Sequence, residues 1–135
     1  ADIDGDGTLS LANRRLLSLA LPSNVDDRSF ANVLNLDVSK NRLRTLPNAV
    51  FERLWSLESL DVSYNLIRSL APVGGISLPA SLLRLDASRN LVAAAGDAFA
   101  ECDRLRTLLL GHNCLTSCHG FEALRALEEL DLAGN

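Results

Sequence analysis

The chain holds 135 residues, 47% of them hydrophobic and 22% charged, with a net charge of −4. That length supports one domain, and the apolar share excludes a wholly disordered chain. The acidic balance excludes a global basic surface for nucleic acid, and no stretch of about 20 apolar residues exists that could span a membrane as a helix. Leucine is the outlier: 29 leucines stand against one Trp and one Tyr, which suggests a core of many small, similar layers.

The chain opens Asp2-Ile3-Asp4-Gly5-Asp6-Gly7-Thr8-Leu9-Ser10, with carboxylates at alternate positions followed by a glycine and an apolar residue. This spacing resembles an EF-hand or dockerin calcium loop. The chain is expected to require no cofactor, but the resemblance implies a loop that could hold Ca2+ through the carboxylates of Asp2, Asp4 and Asp6, the carbonyl of Thr8 and, through water, Ser10, with Gly7 at the sharp turn. The twelfth position is Asn13, where that loop carries a bidentate Glu. Leu11 to Ala20 then reads as a helix, with Leu16, Leu17 and Ala20 on one face. Leu16, Leu19, Leu21 and Asn24 imitate the repeat that begins at Val33, but Asn24 stands only 17 residues before Asn41. Residues 1–32 are therefore expected to form the calcium-type loop and a helix that caps the apolar end of the repeats.

From Val33 onward the chain repeats itself. Five segments share the eleven-position pattern L-x-x-L-x-L-x-x-N-x-L. They are Val33-Leu36-Val38-Asn41-Leu43, Leu57-Leu60-Val62-Asn65-Ile67, Leu82-Leu85-Ala87-Asn90-Val92, Leu105-Leu108-Leu110-Asn113-Leu115 and Leu127-Leu130-Leu132-Asn135. Their first positions are 24, 25, 23 and 22 residues apart. Columns outside the pattern stay apolar too. Leu46, Leu70, Ala95 and Cys118 stand five after each Asn. Phe51, Ile76, Phe99 and Phe121 stand six before the next pattern, and Leu54, Pro79, Cys102 and Leu124 three before it.

These columns resemble the leucine-rich-repeat family over Val33–Asn135. The resemblance implies an α/β solenoid of about five repeats, the last incomplete. One parallel strand per repeat would line the concave face, with short helices or turns such as Asn48–Ser56 and Gly96–Arg104 on the convex face. The Asn side chains would turn inward to satisfy backbone groups where the chain bends. Such solenoids bind proteins, so the expected function is a non-enzymatic interaction module or scaffold. The alternatives are a calcium-responsive regulatory protein and a secreted or surface recognition domain. Leu115 to Leu124 resembles the class found in phosphatase regulatory subunits and cytoskeletal proteins, whereas Leu46 to Phe51 resembles the cell-surface type. A chain that starts at Ala1 without Met and stops inside a repeat reads as a piece of a larger chain or assembly.

His112, Cys114, Cys118 and His119 imitate a metal cluster, but Cys102 and Cys118 fall in columns held elsewhere by leucine and are expected as buried free thiols. Two free thiols favour a cytoplasmic setting, with a cytoskeletal one included and an extracellular one as the alternative. Asp37, Asp61, Asp86 and Asp131 form an acidic column at position five, expected to be solvated, and no nucleophile, base and oxyanion site assembles around it. Trp55 is expected in local packing near a strand start. On the concave face, positions three, five, seven and eight are expected to point outward. Position seven is small (Ser39, Ser63, Ser88, Gly111, Ala133) and would leave a shallow trough. Tyr64, Arg84, Arg89 and His112 would rise around it beside Leu109, which breaks the Asp column. These five residues are the expected partner-binding set.

Overall fold

In the computed structural model, which describes residues 3–135, six three-residue strands stack in chain order into one parallel sheet. They are β1 (Thr8–Ser10), β2 (Asn35–Asp37), β3 (Ser59–Asp61), β4 (Arg84–Asp86), β5 (Thr107–Leu109) and β6 (Glu129–Asp131). The register never slips: Leu9, Leu36, Leu60, Leu85, Leu108 and Leu130 are successive partners at the centre of each strand. Strand side chains alternate, so that central leucine turns inward in every turn. It is buried from Leu9 to Leu108 and 42% exposed at Leu130, on the last turn.

The segments that return from one strand to the next are short. They include two one-turn helices, α1 (Asp27–Phe30) and α2 (Asn48–Phe51), and a 3-10 turn at Phe121–Ala123. Asp26 caps α1 by accepting the Ser29 N–H at 2.9 Å, which holds its carboxyl below the ordinary value. Phe30, Phe51 and Phe99 close the core on this side.

A ladder of amides runs between the turns. Asn65 donates through Nδ2 to the carbonyls of Val38, Val62 and Ser63, while its Oδ1 accepts the Leu43 N–H. Asn90 and Asn113 repeat this arrangement one and two turns on. Each Asn therefore serves the turn before it as well as its own. No buried side-chain N or O among the described residues lacks a partner.

Three expectations change here. First, the helical cap over Leu11–Ala20 is not formed. Asn13 and Arg15 take φ of 57° and 58°, outside the helical region, and the N–H groups of Leu11 and Asn13 bond to the carbonyls of Asp37 and Ser39. The segment is instead one more turn of the solenoid. Leu9, Leu11, Leu16 and Leu19 fill the columns of Leu36, Val38, Leu43 and Leu46, with Arg14 in the asparagine slot. Second, Ile76 is 68% exposed and Leu78 is buried in its place: residues 73–76 are all exposed, and the Leu78 N–H bonds inward to the Ala98 carbonyl. Third, Cys118 is exposed. The equivalents Leu46, Leu70 and Ala95 are buried, whereas among the described residues the turn beside Cys118 is residues 127–135, which leaves it uncovered. Cys102 is buried as expected, and burial pushes its thiol up to about 11.

Candidate functional site

The open face of the sheet is built from positions three, five and eight. Position three runs Thr8, Asn35, Ser59, Arg84, Thr107, Glu129 along the six strands, and position five runs Ser10, Asp37, Asp61, Asp86, Leu109, Asp131.

The aspartates do more than face solvent. Asp37 Oδ1 accepts both the N–H and the hydroxyl of Ser39, at 3.0 and 2.6 Å. Asp61 with Ser63 and Asp86 with Ser88 repeat the pair. Each carboxylate thus fixes, through Oδ1, the bend that follows its strand. The serines are drawn in: Ser39 and Ser63 are buried at 7% and 6% exposure. Position seven therefore does not point outward as expected, and the trough floor is made of Asp–Ser pairs. In the turn built on β5, Asp and Ser are lost together, replaced by Leu109 and Gly111. That paired loss is legible in the sequence as a D-x-S spacing that recurs three times and then fails at both ends at once.

Position eight supplies the tallest residues. Lys40, Tyr64, Arg89 and His112 all sit at φ of 56–57°, and Asn13 joins them at 57°. Bulky residues adopt this left-handed conformation at a cost of about 1 kcal/mol or more each. The backbone compels it here, because each N–H must reach the position-seven carbonyl of the next turn: Lys40 to Ser63, Tyr64 to Ser88, Arg89 to Gly111, His112 to Ala133. The result is a column of side chains leaning from turn to turn. The Arg89 guanidinium lies 5.4 Å from the centre of the Tyr64 ring, a cation–π arrangement on an exposed surface. The His112 ring lies against Gly134, where a Cβ would stand 2.5 Å from Nδ1. Glycine is the position-eight residue of the last turn, with φ of 74°.

The structure therefore brings Tyr64 and Arg89 into contact, places His112 next in the same column, and sets Arg84 and Leu109 on the adjoining strands β4 and β5. Tyr64, Arg84, Arg89 and His112 are exposed, and Leu109 is half-buried.

Of the expected calcium ligands, Asp2 lies outside the described residues. Asp4, Asp6 and Thr8 share one turn: Asp4 Oδ1 accepts the N–H groups of Asp6 and Thr8. Hydrogen bonding to Asp4, and then to Thr8, holds the Asp6 carboxyl below its ordinary value. The Thr8 carbonyl is engaged by the Asp4 N–H at 3.0 Å, and Ser10 ends β1. Among the described residues no three His, Cys, Asp or Glu side chains converge on a metal-sized site.

Trp55 is not packed locally. It is 73% exposed on the return side, beside a groove of about 490 Å³ shared with Phe51, Pro79 and Arg104. Next to it, Arg53 pairs with Asp27 at 2.6 Å and lies 4.6 Å over the Phe30 ring.

The family model described as leucine rich repeat matches residues 31–92 and 81–135. Among curated proteins, the chain is 36% identical over 122 residues to the transforming growth factor beta activator LRRC32 of Pongo abelii, covering 88% of this chain and 18% of that protein. It is 31% identical over 108 residues to the leucine-rich repeat-containing G-protein coupled receptor 5 of Rattus norvegicus, covering 78% of this chain and 12% of that protein. To Tsukushi of Xenopus tropicalis it is 34% identical over 111 residues, covering 78% of this chain and 31% of that protein. The chain thus spans less than a third of each of these relatives. The crystal structure of the leucine-rich repeat domain of APL1B superposes with a TM-score of 0.70 at 28% identity, over 95% of this chain and 35% of that one.

Proposed function

Since this chain belongs to the leucine-rich-repeat family, we propose that it is a non-enzymatic module that binds a protein partner on the concave face, around Tyr64, Arg84, Arg89, Leu109 and His112. The observation that carries the reading is the Arg89 guanidinium over the half-exposed Tyr64 ring. Both side chains stand on a rigid column whose backbone is fixed turn by turn. Tyr and Arg are the residue types that most often anchor interfaces, and a rigid platform loses little entropy on binding. Leu109 adds a dry spot where the acidic column is interrupted, next to Asp86 and Asp131 in register. Relatives whose names include a receptor and a growth-factor activator support an extracellular setting over a cytoplasmic one.

The test is the double variant Tyr64→Ala with Arg89→Ala, measured against a partner captured by pull-down. The expected loss is about 2 kcal/mol or more, roughly 30-fold in affinity. Unchanged affinity with an intact fold would remove the concave face as the interface. A calcium-responsive role for the Asp2–Asn13 loop is a second reading. It is supported by Asp4 and Asp6 meeting at one turn, and calorimetric titration of the native chain against Asp4→Ala decides it.

A further inference from the structure

Charge is sorted by position in this solenoid. Positions ten to fourteen of the five complete turns are residues 15–19, 42–46, 66–70, 91–95 and 114–118. They hold four arginines, Arg15, Arg42, Arg44 and Arg68, and none of the 17 Asp and Glu residues. After position nine the chain leaves the sheet along one flank, where side chains alternate as in a strand. Arg42 and Arg44 are exposed around buried Leu43, and Leu66 and Arg68 around buried Ile67. Adjacent turns touch directly there, since the N–H groups of Arg42, Leu66, Leu91 and Cys114 bond to the carbonyls of Leu16, Leu43, Ile67 and Val92 at 2.8 Å. Arg15 and Arg42 are consequently neighbours in one column, and Arg44 and Arg68 in the next. Like charges stacked across adjacent turns repel, and a bound anion reverses that cost. Among the described residues the ion pair that forms is Arg53 with Asp27, on the return side, and the flank arginines have no carboxylate within ion-pair distance.

The same flank carries apolar surface. Leu66 is 41% exposed and Leu91 38%, and with Arg44 and Arg68 they line a groove of about 520 Å³.

We infer that this flank is a second docking surface, distinct from the concave face, and that its occupant is a short acidic peptide segment with interspersed apolar side chains. Arg15, Arg42, Arg44 and Arg68 take the carboxylates, and the groove between Leu66 and Leu91 takes an apolar side chain. The charge disfavours a basic occupant and selects an acidic one, and the two exposed leucines favour a peptide over a sulfated glycan. From the first turn to the fifth the flank spans four strand spacings of about 4.8 Å, or about 19 Å, which is about six residues of extended chain.

The experiment uses the full chain and a fluorescein-labelled octapeptide of alternating Glu and Leu. Octaglutamate and a sulfated hexasaccharide serve as competitors, all read by anisotropy. The Glu–Leu peptide is expected to bind about tenfold more tightly than octaglutamate despite carrying half its charge. Arg44→Glu with Arg68→Glu should weaken it at least about 30-fold, and Arg44→Gln with Arg68→Gln about tenfold, should charge reversal disturb the fold. Leu66→Ser with Leu91→Ser should cost about tenfold for the Glu–Leu peptide and nothing for octaglutamate. Tyr64→Ala with Arg89→Ala should change neither, which separates this surface from the concave one. Native affinity in the arginine variants overturns the proposal. So does octaglutamate or the hexasaccharide binding as tightly as the Glu–Leu peptide, because the flank would then be a simple polyanion site.

Discussion

The first turn and the inner turns adopt the same backbone with different side chains at the bend. In the inner turns an asparagine occupies position nine, and in those built on β2, β3 and β4 a D-x-S pair supports the preceding corner. In the first turn those places hold Arg14 and Ser10-Leu11-Ala12. That turn is nevertheless in register, because Asn41 reaches back to it: its Oδ1 accepts the N–H groups of Arg14 and Leu16, and its Nδ2 donates to the Leu11 carbonyl. A turn of this solenoid is held by the asparagine of its successor. Its own asparagine divides its bonds between its predecessor and itself, and among the described residues no turn precedes that of Arg14.

The largest expected effect contrasts an inner turn with the far end. Cys102 should resist alkylation at pH 8 by at least about 100-fold relative to Cys114 and Cys118, since burial both removes thiolate and blocks access. Mass spectrometry of the folded and urea-unfolded chain checks this. The same burial sets a pH dependence. An unfolded Cys102 loses its proton near 9.0 and the folded one near 11, so the unfolded chain binds fewer protons in that window. Stability should fall as pH rises from about 9 to 11, and Cys102→Ala should flatten that fall.

Next in size, Asn65→Ala should cost about 2–3 kcal/mol in urea unfolding, because it strands buried groups of two turns at once. Arg14→Ala should stay within about 0.5 kcal/mol. Equal losses at the two sites would break the comparison. Asp61→Ala should cost about 1 kcal/mol through the freed Ser63 N–H and hydroxyl, against a negligible change for Ser10→Ala. The smallest effect sharpens the idea most. Arg14→Asn restores the repeat pattern yet should gain no more than about 0.5 kcal/mol, since Asn41 already serves the Leu11 carbonyl.

The solenoid is legible from Val33 onward, because eight columns recur per turn, seven apolar and one asparagine, and strand alternation converts them into a face. The first turn was missed for a physical reason. Its inward residues Leu9, Leu11 and Leu16 keep the spacing of Leu36, Val38 and Leu43, but the asparagine that marks a repeat is contributed from the next one. The Leu11–Ala20 stretch satisfied a helical pattern only while its backbone donors were ignored. The expected binding residues were legible as a column, since Tyr64 and Arg89 stand 25 residues apart in the same place. Their contact was not, because it depends on how far a left-handed residue tilts its side chain. Cys118 and Trp55 were misjudged because burial is decided by the neighbouring turn, which a column alone does not reveal.

That dependence on neighbours has a mechanical consequence. Every inter-strand bond in the sheet joins a turn to the one beside it. A pulling force applied along the stack would load the turns in series, so they would give way one at a time. Each would release a similar length of slack, set by repeats of 22 to 25 residues. A tethered chain of this design would absorb a tug as a staircase of small extensions while its central turns still held their shape.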